Sequence, residues 1–297
     1  MRKTIIIALI ALVLVVAISF FIFNQSTTIV KVYVSTTTSL YETGLLDYLT
    51  SKFTQKYPGV NITFLVVGSG EALERAERGD ACVTLVHAPS LEVKYLINNT
   101  IYNHTIFAYN YFIIVGPGTD PANVSRAGNT VEAFRRIYEA AERGLTVFIS
   151  RGDKSGTNVK ELQLWNLTGV NPSGKNWYKN CGCGMSNALI MANELNGYTL
   201  SDISTFLKLK KNGQIPYLEV LFQNSSELIN IYSAYLSSKC SGEELKYGRL
   251  FIEFLASSEG QNYISTYGLQ EYGKPLFNPV DGKEQELADI WSALSRS

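Results

Sequence analysis

Histidine is almost missing from this chain: only His87 and His104 occur in 297 residues. That scarcity removes the zinc sites built on histidine pairs and leaves little material for acid–base catalysis. No HExxH pair, GxSxG elbow or convergent carboxylate pair is present. Low-complexity tracts and internal repeats are absent too. An excess of positive charge is also lacking. The 26 basic residues are matched by 26 acidic ones, and without Arg2 and Lys3 the balance is 24 against 26. A nucleic-acid partner would need a basic stripe, so none is expected, and any anion must be held by local groups. Cysteine is limited to Cys82, Cys181, Cys183 and Cys240. Outside the cytosol a disulfide is the favoured fate of such residues, and the spacing leaves the pairing open. Cys181-Gly-Cys183 would make half a zinc site, but no histidine pair completes it. No metal and no cofactor are expected.

What is present is globular: 46% hydrophobic and 18% charged residues over a length that suits one large domain or two lobes. The start, "MRKTIIIALIALVLVVAISFFIF", puts Arg2 and Lys3 before an uncharged run from Thr4 to Phe23. That run is long enough to cross a bilayer as a helix. It predicts an uncleaved membrane anchor over residues 1–28, with a cleaved signal peptide as the alternative. The positive end stays cytoplasmic, which puts the rest on the outer face of the cytoplasmic membrane. Asn-x-Ser/Thr acceptors at Asn24, Asn61, Asn98, Asn103, Asn123, Asn166 and Asn224 are about twice what chance supplies, and they fit a glycoprotein.

After a short polar linker, strand-like and helix-like segments alternate. "IVKVYVS", "VNITFLVVG", "ACVTLVHAP", "YNYFIIVGPG" and "LTVFIS" read as strands. "TGLLDYLTSKFTQKY", "GEALERAERG" and "NTVEAFRRIYEAAERG" read as helices. Further helices are expected around 184–195, 201–210, 243–256 and 259–267, with a strand at "LEVLFQN". This order implies an α/β fold with largely parallel sheets and helices on both faces. Ligands in such folds bind beyond the carboxyl ends of the strands.

Three turns lie at such ends: "STTTS" from Ser35 to Ser39, "VGSGEAL" around Ser69 and Gly70, and "FISRGDKSGTNVKELQLW" from Phe148 to Trp165. Each has a plain explanation. Ser and Thr clusters cap helices, Ser-Gly is a common strand-to-helix turn, and Arg-Gly-Asp at 151–153 is mostly a chance tripeptide. "GDKSGT" also lacks the GxxxxGK[ST] spacing of a nucleotide loop. Together the turns point further. Three helix starts at about half a positive charge each, plus the Arg151 guanidinium, supply roughly 2.5 charges, a match for a dianion. Gly70, Gly152 and Gly156 would let backbone approach a ligand closely. A site made only of donors selects a fully deprotonated oxyanion. Asp153 is read as a cap or as a group orienting Arg151, and Lys154 as solvated. His87 is read as a structural hydrogen-bonding residue, and His104 as a surface one.

With "STTTSLYETGLLDYL", "VGSGEALERAERGDACVTLVHAP", "YFIIVGP" and "FIEFLASSEGQNYISTYG" added, the chain resembles the tungstate-binding proteins of ABC uptake transporters over nearly all of Val32–Pro279. The resemblance implies a two-lobed type II periplasmic-binding-protein fold, α/β, each lobe a mainly parallel sheet flanked by helices, with two crossover strands. The expected lobes are 29–115 with 225–297, and 116–224. It implies tungstate or molybdate as ligand, a permease and its ATPase as partners, and a monomer that is not an enzyme. The family's oxyanion positions fall on Thr37, Thr38, Ser39, Ser69, Arg151, Ser155 and Thr157, with Gly70 and Gly156 beside them. Three departures stand out: Asn158 occupies a position that is often histidine, Cys82 one that is usually acidic, and "NCGCGMSNAL" carries cysteines in a glycine-rich stretch. The alternative from another class is an extracellular phospho- or sulfo-ester hydrolase using a similar anion cradle, which would need a base beside Ser or Thr.

Overall fold

Strand β1 (Val30–Thr37) pairs in parallel with β2 (Val60–Val67) and β3 (Val83–Val86). Between β1 and β2 come a short helix α1 (Thr38–Glu42) and α2 (Leu45–Lys56). The helix expected over 43–57 is α2, and it is separated from α1 at Gly44, whose φ of +85° no L-residue favours. Leu45, Leu46, Leu49 and Phe53 form the buried face of α2. Helix α3 (Ser69–Arg78) buries Ala72, Leu73 and Ala76 and stops at Gly79 in the left-handed conformation. Helix α4 (Pro89–Ile97) follows β3. These described residues belong to a computed structural model that covers 29–223 and 225–296.

The long strand β4 (Ile101–Pro117) then crosses from one half of the molecule to the other. The second half holds α5 (Thr130–Glu142), β5 (Phe148–Ser150), α6 (Gly156–Thr168), β6 (Tyr178–Asn180), α7 (Met185–Glu194), β7 (Tyr198–Asp202), α8 (Ile203–Lys211) and β8 (Leu218–Phe222). Strand β9 (Ile229–Ser237) returns to the first half. Helices α9 (Gly242–Ala256), α10 (Ser258–Thr266), α11 (Leu269–Tyr272) and α12 (Glu284–Leu294) complete the chain. Strand order is β2-β1-β3-β9-β4-β7-β5-β6, with β8 on β4.

Parallel pairing is confined to three strands in each half; β4 and β9 pair antiparallel with all their neighbours. The sheet is therefore less parallel than the strand–helix alternation implied. Alternation along β4 sets up two cores: Phe112 and Ile114 pack toward α5 and α6, Ile113 and Val115 toward α7 and α8. A third core joins β1, β2 and β3 to α2 and α9 through Val34, Phe53, Tyr232 and Phe251. The expected helix at 201–210 begins later, because Ser201 and Asp202 finish β7 and Asp202 caps α8, accepting from Thr205 N at 2.9 Å.

Cys82 pairs with Cys240, and Cys181 with Cys183. The first bridge closes a loop of 158 residues that contains the whole second half. Replacing Cys82 and Cys240 together with alanine should lower stability by about 2–4 kcal/mol, through the freedom returned to the unfolded chain. Denaturant titration of oxidised wild type and the double variant measures it. The five described acceptor asparagines, Asn61, Asn98, Asn103, Asn123 and Asn166, are all exposed. The anchor expected over 1–28 and the acceptors Asn24 and Asn224 lie outside the described residues. Among the described residues no helix is long and apolar enough to cross a membrane.

Candidate functional site

The three turns singled out in the sequence meet between the two halves. Thr37 ends β1 and caps α1, accepting from Leu40 N at 3.3 Å, with its hydroxyl 3.4 Å from that of Ser39. Gly68 caps α3 in an extended conformation, which places Ser69 in the first turn, fully buried. Ser155 caps α6, accepting from Asn158 N at 3.2 Å, and Gly156 and Thr157 form its first turn. The approach to α6 is tight: Gly152 and Lys154 both have positive φ, and Lys154 N donates to Asn158 Oδ1. The Lys154 side chain is exposed.

Gly70 and Gly156, with Gly68 before α3, lie where the two halves come close. A Cβ on Gly68 would sit 3.1 Å from Asp153 O, and one on Gly70 would sit 3.4 Å from Lys154 O. A Cβ on Gly156 would lie 2.7 Å from His87 O and 2.8 Å from His87 Cε1. At Gly68 and Gly156 the missing side chain allows the two halves to approach each other.

Arg151 is 1% exposed. Its Nη2 donates to Thr38 Oγ1 at 2.9 Å, across the two halves, and to Asp153 Oδ2 at 2.5 Å. Its Nε donates to Cys183 O at 3.3 Å. Asp153 also accepts from Ser155 N at 3.1 Å, so it is both a cap and the group that orients Arg151. The Cys181–Cys183 bridge pins this loop, because Cys181 N donates to Ser150 O and Cys183 N to Arg151 O. Arg151 Nη1 is left without a partner, as are Ser69 Oγ and Thr157 Oγ1. Those three account for half of the six such buried side-chain atoms among the described residues. Buried polar atoms are nearly always paired, so a concentration of unpaired donors on two of these turns marks a place built for an acceptor. The chemistry of the donor set fits an oxyanion.

The charge there is smaller than the sequence implied. Asp153 lies directly on the guanidinium, and α1 has only five residues. The Arg–Asp pair is formally neutral, which leaves helix termini and hydroxyl dipoles as the positive contribution.

The sequence reading missed a base beside a hydroxyl. Ser39 Oγ lies 3.2 Å from His87 Nε2, and His87 Nδ1 lies 2.8 Å from Asn230 Oδ1. Ser39, His87 and Asn230 come from three distant segments, and no spacing along the chain could have joined them. Burial drives the His87 pKa down to about 4, assisted by Arg151 and opposed by the Asn230 bond and by Asp153. So weak a base at neutral pH is poorly matched to general-base catalysis. His104 lies elsewhere, stacked on Tyr235 with ring centroids 5.0 Å apart.

Behind Arg151, Glu161 is 2% exposed and accepts from Ser150 Oγ, Tyr178 OH, Trp165 Nε1 and Asn158 Nδ2. Burial raises its pKa from 4.5 to about 7, against the pull of those donors. Between these values the folded protein holds a proton that the unfolded chain has released. The stabilisation is complete below pH 4.5 and is lost as pH rises through 7. Glu161→Gln should remove a pH-dependent component of roughly 2–4 kcal/mol from this window, measured by urea denaturation at pH 4.5, 6 and 8.

Residues 24–259 match the model of the PBP superfamily domain. The chain is 35% identical to the tungstate-binding protein TupA of Peptoclostridium acidaminophilum over 257 residues, 85% of this chain and 87% of that protein. It is also similar to two solved structures. One is the tungstate ABC transporter from Geobacter sulfurreducens (38% identity, TM-score 0.70, covering 80% of this chain and 98% of that one). The other is the tungstate-binding protein TupA from Desulfovibrio alaskensis G20 (35% identity, TM-score 0.69, 84% and 98%). On this extent of match the chain belongs to the PBP superfamily, in the group that holds the tungstate-binding proteins of ABC transporters, and its architecture is the two-lobed type II periplasmic-binding-protein fold.

Proposed function

We infer that this protein captures tungstate or molybdate outside the cytoplasm and delivers it to the permease of an ABC importer, which a cytoplasmic ATPase drives. The observation that carries this reading is the set of buried, unpaired donors on Ser69, Arg151 and Thr157, on two turns whose backbones approach each other between the halves. The names of the relatives support it. The ligand-binding residues proposed are Thr37, Thr38, Ser39, Ser69, Gly70, Arg151, Ser155, Gly156 and Thr157. The proposed lobes are 29–115 with 225–297 and 116–224, closing on the ligand because donors from both are satisfied only together. The protein is proposed to act as a monomer in binding, not catalysis.

A hydrolase reading would use the Ser39–His87–Asn230 chain, which has the order of nucleophile, base and orienting group. The weakness of His87 as a base speaks against it. A thermal-shift screen of tungstate, molybdate and sulfate beside phosphate and sulfate esters separates the two. Stabilisation by the oxyanions without ester turnover is expected, and turnover that depends on Ser39 would reject the binding reading.

The segment 1–28 is proposed to remain as an anchor, holding the receptor near its permease. N-terminal sequencing of native protein should return a blocked or intact start. A chain beginning between about 19 and 28 would mean a diffusing receptor. The exposed acceptor asparagines fit a glycosylated surface.

A further inference from the structure

The buried polar groups behind Ser39 form a chain in which the direction of every hydrogen bond is fixed. It starts at a backbone carbonyl, which can only accept. Ser204 Oγ lies 2.5 Å from Leu276 O, so the Ser204 proton points there. Asn110 must then turn its amide nitrogen to Ser204, at 2.8 Å, and its carbonyl oxygen to Asn230. Asn230 Nδ2 donates to Asn110 Oδ1 and to Tyr232 OH, both at 2.8 Å. Asn230 Oδ1 is left facing His87 Nδ1, which must therefore carry the hydrogen. Nε2 of neutral His87 is consequently bare and accepts from Ser39 Oγ. Ser204, Asn110, Asn230, His87 and Ser39 are each at most 3% exposed, so water cannot substitute for any link.

The consequence falls on the ligand. A serine hydroxyl has one proton, and here it is committed to His87. In that state Ser39 offers lone pairs to an oxyanion, which repel it. We propose that His87 is the proton-accepting partner of the bound oxyanion: capture of a fully deprotonated dianion takes up one proton from solvent at His87 Nε2, which then donates to Ser39 Oγ and frees the Ser39 hydroxyl to donate to the ligand. This deepens, and rests on, the oxyanion-binding function proposed above. The proton also supplies the positive charge that Asp153 removes by neutralising Arg151.

The groups around His87 fit this role. Arg151 and Asp153 face it from the turn before α6, and Lys160 on α6 lines the same interlobe cavity. The Tyr232 ring on β9 lies tilted against His87 at 5.0 Å, and that of Phe112 on β4 at 6.1 Å. Buried Glu92 on its own side is occupied by Ala88 N, Tyr235 OH and Trp291 Nε1, and Asp202 by Thr205. Among the described residues no carboxylate bonds His87 directly, and burial keeps its pKa down at about 4. A dianion beside Ser39 changes that balance, because an opposite charge within reach favours the charged form.

The test is titration calorimetry of tungstate at pH 7 in buffers of different ionisation enthalpy, with the His87→Gln and Ser39→Ala variants in parallel. Wild type should take up about one proton per tungstate, with affinity falling about tenfold per pH unit until the complexed His87 itself deprotonates. His87→Gln carries a permanent amide donor toward Ser39 and should bind with no uptake; Ser39→Ala should bind more weakly, also with none. Uptake retained in either variant would place the proton on the ligand and overturn the assignment. Tungstate binding to wild type without uptake would overturn it while leaving the oxyanion function intact; no binding at all would overturn that function and this inference together. If His87→Gln fails to fold, nitrogen NMR of wild type decides, because the chain has only two histidines. One ring should gain a proton at Nε2 on adding tungstate, and an unchanged ring would overturn the proposal.

Discussion

Arg151→Ala is expected to weaken tungstate binding by roughly 2–5 kcal/mol, about 30- to 4,000-fold. Two effects add. The free Nη1 of a side chain 1% exposed is lost, and with it a charge-assisted bond to the ligand. Asp153, which now shares its charge with the guanidinium, becomes an uncompensated carboxylate facing the same place. Arg151→Lys keeps the charge but loses the fork that lets Nε hold Cys183 O while Nη2 holds Thr38 and Asp153. It should fall between wild type and alanine. Lys154→Ala, at an exposed position, should change affinity little. Calorimetric titration with tungstate reads all three, and unchanged affinity in Arg151→Ala would remove Arg151 from the site.

Gly156→Val should cost about 5- to 150-fold in affinity by opposing lobe closure. Its Cβ would lie 2.7 Å from His87 O, a backbone atom that cannot step aside. Overpacking of this kind costs about 1–3 kcal/mol and acts only where the two halves meet. Each lobe keeps its own core, so thermal stability without ligand should fall less than affinity does. Small-angle scattering should show wild type compacting on tungstate and the variant compacting less. Equal compaction and equal affinity would reject the clamp.

The helices of the first half were legible because each shows one buried stripe and one clear stop: Leu45, Leu49 and Phe53 on α2, Ala72 and Ala76 before Gly79 on α3. Strand β9 was passed over. All nine of its residues are buried, yet Asn230, Ser233 and Ser237 break the apolar run, because they bond to partners inside the protein. The first part of β4, from Ile101 to Ala108, hides for a similar reason behind Asn103, His104 and Thr105. The three donor turns could be read from residue type, since helix starts with Ser, Thr and Gly carry local signals. The Ser39–His87–Asn230 chain carries no such signal: Ser39 meets His87 across 48 residues because β1 lies beside β3, and Asn230 meets it across 143 because β9 does. Asp153 shows the opposite limit. Its roles as a cap and as the group orienting Arg151 were readable, but the sum of about 2.5 positive charges left out the charge it cancels on the guanidinium.

The most direct test of the whole account is calorimetric titration of the purified protein with tungstate, beside molybdate and sulfate. The account predicts saturable binding of tungstate at one site per chain. Absence of saturable binding for every tetrahedral oxyanion would contradict it.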